Sequence, residues 1–201
     1  LDYISSFIQE SHTRAREAGA IQAVINVMNS HPDDAEIQEA ACGSLDHLVR
    51  SGEDSQAQAR EVGAIQAILT ALDTHADDAR RIFVLKVFGA LNSIMNNFRG
   101  QSTASHAAAL DAIVSAMTRH QSNAHIQECL CKLLSKIAEN DEQSRLWATQ
   151  AGAIQAVFKV IDTHANSTFS VFRAYWALDS IMQNFRYQGT ASDAAALEGI
   201  V

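Results

Sequence analysis

Apolar residues recur three and four positions apart along this chain, in Ala-rich stretches with almost no strand-type alternation. That spacing puts them on one face of an α-helix. The clearest stretch predicts three successive helices. A short one covers 53–62 (EDSQAQAREV) and ends at Gly63, a second covers 64–73 (AIQAILTALD), and a longer third covers 79–96. The third offers Ile82, Leu85, Val87, Phe88, Leu91 and Ile94 for burial. In the preceding stretch, Asp33 followed three residues later by Glu36 reads as a capping box, opening a helix by satisfying free backbone N–H groups.

The same pattern returns along the chain. The pentad GAIQA occurs at Gly19–Ala23, Gly63–Ala67 and Gly152–Ala156, and a disguised copy, AALDA, stands at 108–112. The apolar markers Ile21, Ile65, Leu110, Ile154 and Leu197 follow one another at 44, 45, 44 and 43 residues. A period of this size signals stacked supersecondary units. Each pentad Gly falls just past a predicted helix end, where a left-handed residue turns the chain sharply. Gly takes that conformation freely, while a left-handed Ala costs about 1–2 kcal/mol. Gly19, Gly63 and Gly152 are therefore expected at positive φ, and Ala108 and Ala195 are expected to bend differently.

A longer period overlies the first. His31…Ile37-Gln38-Glu39…Cys42 is matched 89 residues later by His120…Ile126-Gln127-Glu128…Cys131. SIMNNFR at Ser93–Arg99 is matched by SIMQNFR at Ser180–Arg186, each followed by Thr-Ala-Ser. Such polar matches point to duplication of a two-repeat unit.

These residues carry a resemblance. Short helix, Gly-Ala-Ile, apolar second helix and then IQEAACGSLDHL (Ile37–Leu48), with YWALDSI (Tyr175–Ile181) later, resemble the armadillo repeat. The resemblance implies an all-α, armadillo-type right-handed superhelical solenoid of three-helix repeats. It places the end of one repeat at 1–10, repeats at 11–51, 52–98, 99–140 and 141–185, and the start of a further one at 186–201. The whole of 1–201 then reads as one repeat segment, expected to be a piece of a longer array. Terminal solenoid repeats normally carry a polar outer face, and AAALEGIV (194–201) does not, so self-association through uncapped ends is expected.

Composition narrows the function. One Pro and nine Gly leave no linker-like stretch, and 47% apolar residues suit a folded chain. A net charge of −8 disfavours a nucleic-acid surface. No segment is apolar enough to span a bilayer or basic enough on its polar face to lie on one. Nucleophile elbow, phosphate loop, HExxH and dinucleotide fingerprint are all absent, so no catalytic, cofactor or metal residues are assigned and no enzyme is expected. The acidic pairs Asp33-Asp34 and Asp77-Asp78 precede third helices, where negative charge suits a helix N-terminus.

The histidines and cysteines read as structural. His31, His75, His120 and His164 each stand ten residues after a marker. Equivalent helices pack about 8–10 Å apart, and zinc needs nitrogens at about 2.0–2.1 Å, so neighbouring rungs cannot share an ion. Each His is expected at a second-helix C-terminus, near free carbonyls. Cys42 and Cys131 share an inward position with Phe88 and Tyr175, and Cys129 points elsewhere. Three unpaired thiols suit a reducing compartment, the cytoplasm or the nucleus.

What remains is binding. Resemblance to peptide-binding armadillo proteins implies a groove lined by third helices, with a Trp and, four residues later, an Asn in each repeat. Here the Trp position holds Gly43, Gly89, Lys132 and Trp176, and the Asn position holds Tyr3, His47, Ser93, Lys136 and Ser180. One turn earlier stand Glu39, Leu85, Glu128 and Phe172. With the Asn ladder absent, a nuclear transport-type grip on basic extended peptides is disfavoured. The expectation is a protein-interaction or scaffold module without enzymatic activity, binding a protein or peptide along this row. The alternative is a fixed structural part of a cytoskeletal or other large assembly. Phe172 and Trp176, four apart on one face, are the expected anchors, and Tyr175 is expected to turn inward.

Overall fold

The computed structural model describes residues 10–11, 14–15, 17–50, 52–76, 81–96 and 104–183. Tyr3, Ala195 and the segment 186–201 lie outside them. The described residues form ten helices and no strand. They are α1 (Ala20–Ser30), α2 (Ala35–Val49), α3 (Glu53–Glu61), α4 (Ala64–His75), α5 (Arg81–Ile94), α6 (Ala104–Arg119), α7 (Ala124–Ala138), α8 (Glu142–Gln150), α9 (Ala153–Thr163) and α10 (Thr168–Met182). The chain divides into two compact units, Leu1–Asn97 and Phe98–Val201.

In the first unit the long helices α2 and α5 pack side by side, with α1 against α2 and α4 against α5. Ile21, Ile25 and Met28 of α1, Cys42, Leu45 and Val49 of α2, and Leu91 and Ile94 of α5 are buried. Each fully buried Leu or Ile side chain is worth about 1.5–3 kcal/mol. The second unit repeats the scheme: α7 packs along α10, and α9 along α10, over Leu110, Ile126, Leu130, Leu134, Ile154 and Val157. Ile82 and Leu85 depart from the burial expected of them, although exposure of Leu85 is what its place in the row requires. Both are about half exposed, because α5 turns Phe83 and Val84 inward in their place, while Val87, Phe88, Leu91 and Ile94 are buried as expected.

Gly19, Gly63 and Gly152 have φ of 78°, 81° and 81°, as the corner argument requires. At Ala108 the chain solves the problem differently: α6 runs unbroken from Ala104 past Ala108 to Arg119, so there is no corner at that position. An Ala that avoids the left-handed region simply continues the helix. The start of α2 is also shifted by one residue. Asp34, not Asp33, is the N-cap, accepting from the backbone N–H groups of Glu36 and Ile37 at 3.1 and 3.0 Å.

The longer period has a physical basis. The buried Gln38 amide donates to Met28 O and His31 O, both at 2.8 Å, and so closes the C-terminal end of α1. Gln127 does the same for α6, donating to Met117 O at 2.7 Å and His120 O at 2.8 Å. In the other two repeats the histidine ring is used. His75 Nε2 lies 2.8 Å from Pro32 O, and His164 Nε2 lies 2.7 Å from Gln121 O, each reaching the turn of the preceding repeat. A carbonyl can only accept, so each of these Nε2 atoms carries the proton. The four histidines thus sit at second-helix ends, but two are used through the backbone and two through the ring. The rings reach another repeat's carbonyl, not their own helix's.

Candidate binding surface

Each unit carries its own part of the sequence-selected row. In the first unit, Glu39 and His47 of α2 line an open depression of ≈ 450 Å³ together with Glu36, Gly43, Ser44 and Lys86. Gly43 matters here because the Lys86 stem of α5 lies across it: a Cβ at 43 would meet Lys86 Cδ at 3.5 Å. Lys86 sits one residue off the row on the neighbouring helix, so the repeat spacing does not signal it. Leu85 is exposed on the same helix, beside the exposed Ile82. Ser93 is a correction. It is buried, and its hydroxyl donates to Asp46 Oδ1 at 2.6 Å. Asp46 also takes a two-point contact from Arg50, at 3.0 Å from Nε and 2.7 Å from Nη2.

The second unit holds the more pronounced face. Phe172 and Trp176 are 52% and 51% exposed on α10, and their rings meet edge-on at 5.7 Å between centroids. The indole N–H donates to Glu139 Oε1 at 3.2 Å, which fixes the ring orientation from the end of α7. Ser180, expected in the row, is buried. Its hydroxyl donates to Trp176 O at 3.0 Å, with Glu139 Oε1 3.4 Å away, so it supports the indole and is not presented to a ligand.

Tyr175 overturns the expectation of an inward ring: it is 58% exposed. Its counterparts Cys42 and Cys131 are covered because α5 packs on α2 and α10 on α7. α10 packs on α7, α8 and α9, and none of these covers Tyr175. With Phe169, 54% exposed, α10 therefore shows four large aromatic side chains over one arc. The Arg173 guanidinium stands 5.0 Å from the Phe169 ring centre.

Beside this arc, α7 contributes Glu128, Lys132 and Lys136 at four-residue spacing on one face. Glu128 accepts from the buried Ser170 hydroxyl at 2.8 Å and lies 3.7 Å from His125 Nδ1. Lys132 is exposed. Burial, and secondly the charge of Lys132, hold the Lys136 ammonium below its ordinary range, with Glu139 opposing. Like charges four apart cost a helix about 0.2–0.5 kcal/mol.

The cysteines are chemically quiet. Burial pushes Cys42 and Cys131 up to about 12, helped by Glu39 and Glu128 respectively. It pushes Cys129 to about 11, with Glu128 adding and Lys132 and Arg173 opposing. Among the described residues no group of three or more His, Cys, Asp or Glu could hold a metal ion, and no helix is long and apolar enough to cross a membrane.

The sequence pattern of the LRRK2 ARM repeat matches residues 13–146, well over half of the chain. The chain belongs to the LRRK2 ARM repeat family. A solved structure agrees on the fold. A designed armadillo repeat protein in complex with a peptide, (KR)4, is 18% identical over 96% of this chain and 87% of its own, with a TM-score of 0.59. An engineered protein at 17% identity, covering 87% of this chain and 86% of its own, has a TM-score of 0.33, too low to add to the argument. No curated protein is a significant match. The ARM-repeat assignment accounts for the corner glycines, the stacked third helices and the recurrent helix-end histidines. At 18% identity the designed relative establishes the fold alone.

Proposed function

We propose that this ARM-repeat segment is a non-enzymatic protein-interaction module, and that its partner docks on the α7/α10 face of the second unit. The observation that carries the proposal is the exposed pair Phe172 and Trp176, held edge-on to each other, with the indole oriented by Glu139. Aromatic side chains that are rigid and accessible before binding are the usual energetic anchors of interfaces, and solenoids commonly bind through such helix rows. The designed armadillo relative, in complex with a peptide, is consistent with a peptide or protein as the partner class. Lys132 and Lys136 replace the Trp and Asn of the backbone-gripping type in this repeat, which favours side-chain recognition over a ladder along an extended basic peptide. The cytoplasm or nucleus is the setting that suits three free thiols.

The test is capture of partners by the intact chain, compared with Trp176→Ala and with Gln155→Ala, a change at an exposed position on α9. The proposal requires that a partner held by the parent chain and by Gln155→Ala be depleted from Trp176→Ala. Equal capture by all three would remove the α7/α10 face as the docking site.

A further inference from the structure

We propose that the second unit binds one ordered water molecule where α6, α7 and α9 meet, and that this water donates a hydrogen bond to the buried side-chain oxygen of Gln127. The site is independent of the docking reading above.

Gln127 is 1% exposed. Its amide nitrogen donates to Met117 O and His120 O, so both N–H bonds are used. Those two contacts also fix which way round the amide lies, since the reversed amide would set its oxygen against two carbonyl oxygens. Oε1 is thereby held in place, buried and without a protein hydrogen-bond partner. Buried acceptors are costly to leave unmatched, and native structures pair them with protein groups or with water. The same side chain lines a cavity of ≈ 20 Å³. A water needs about 10–15 Å³ and a few polar neighbours, so the volume suits a single water. Thr118, Gln121 and Lys159 bring a hydroxyl, an amide and an ammonium to the lining, and Met117, Ala156 and Val160 complete it with apolar surface. The Thr118 hydroxyl already donates to Val114 O at 3.2 Å, so toward a water it accepts.

The lining also decides the class of occupant. An anion would face the Gln127 oxygen. A metal cation would face the Lys159 ammonium, with no carboxylate in the lining to hold it. A neutral donor of one heavy atom avoids both conflicts. Gln127 stands in the first turn of α7, beside Glu128, and ties that turn to the end of α6. A water on Oε1 extends the tie to α9, which carries Ala156, Lys159 and Val160.

The test uses the full chain, as the parent and as Lys159→Met, Ala156→Val and Ala156→Ser, with far-UV circular dichroism to check that each folds. Two readouts report the water: a crystal structure fine enough to resolve ordered solvent, and water–protein NOE and ROE spectra of the labelled chain in solution. In the parent and in Lys159→Met, density for one water should stand about 2.7–3.2 Å from Gln127 Oε1, and the Gln127 side-chain amide should show a cross-peak to water of the sign that marks a bound molecule. Ala156→Val fills the cavity with methyl groups that cannot donate, so both signals should vanish. Ser and Val lower helix propensity about equally, but the Ser hydroxyl can stand in for the water. Ala156→Val should therefore melt about 2–4 °C below Ala156→Ser, the shift expected of one lost hydrogen bond in a chain of this size. The Lys159 ammonium seated against Oε1, another protein donor reaching it, or a closed or dry cavity in the parent overturns the inference. A water still bound at Oε1 in Ala156→Val overturns it as well, and so does a Val variant that melts as high as the Ser variant.

Discussion

Replacing Gly63 by Ala isolates the energetic content of a repeat corner. Gly63 has φ 81° and ψ 24°, and a Cβ built there meets no atom within 4 Å. Steric conflict with the rest of the fold therefore contributes nothing, and the cost is that of holding an L-residue in the left-handed region, about 1–2 kcal/mol. Ala also reduces the freedom of the unfolded chain, which returns about 0.4–1 kcal/mol. The net destabilisation expected is about 1 kcal/mol. Asn, which tolerates the left-handed region, should cost less. The mirror experiment is Ala108→Gly, because α6 runs helically through that position and Gly in a helix interior costs about 0.5–1 kcal/mol. Urea unfolding followed by circular dichroism reads both changes as lower midpoints at constant slope. A Gly63→Ala protein as stable as the parent, or a crystal structure with right-handed φ at Gly63, would refute the corner argument.

Other expectations follow from the same geometry. Gln127→Val, which copies the residue type found at the equivalent Val84 and Val171, leaves the Met117 and His120 carbonyls without their shared donor and should cost about 1–3 kcal/mol in thermal or urea unfolding. For Cys42 and Cys131 the fold favours the protonated thiol, raising each from 9.0 to about 12, so their contribution is complete below pH 9 and is lost as pH rises toward 12. Stability measured across that window should fall, less steeply in Cys131→Ala, and alkylation of folded protein near neutral pH should be slow at both sites. Tyr175→Ala, at a side chain more than half exposed, should change stability by less than about 1 kcal/mol.

The repeat architecture was legible because it is written in quantities a sequence displays directly: the spacing of apolar residues, and glycines at positions whose φ is 78° to 81°. The misplacements share a cause, namely partners distant in sequence. Ser93 and Ser180 fall on the expected row by spacing. Ser93 is buried by its bond to Asp46, 47 residues away, and Ser180 by the Trp176 carbonyl and Glu139. Tyr175 was placed inward by equivalence with Cys42 and Cys131, which assumes a packed helix on its far side, and α7, α8 and α9, on which α10 packs, do not supply it. Lys86 and Glu139 were missed because each reaches the face from off the row. The one-residue slip at Asp33-Asp34 reflects two adjacent carboxylates, either of which can cap a helix, and only the backbone angles decide between them.

The most direct test of the central claim is the affinity of a captured partner for the parent chain and for Trp176→Ala, measured alongside their melting temperatures. Trp176 is half exposed, so its loss should leave the melting temperature nearly unchanged. Truncation of an interface anchor costs about 2 kcal/mol, so the dissociation constant should rise about thirtyfold. A Trp176→Ala protein that melts many degrees lower while its folded fraction binds as tightly as the parent would contradict the account, making the indole a structural group and moving the docking face elsewhere.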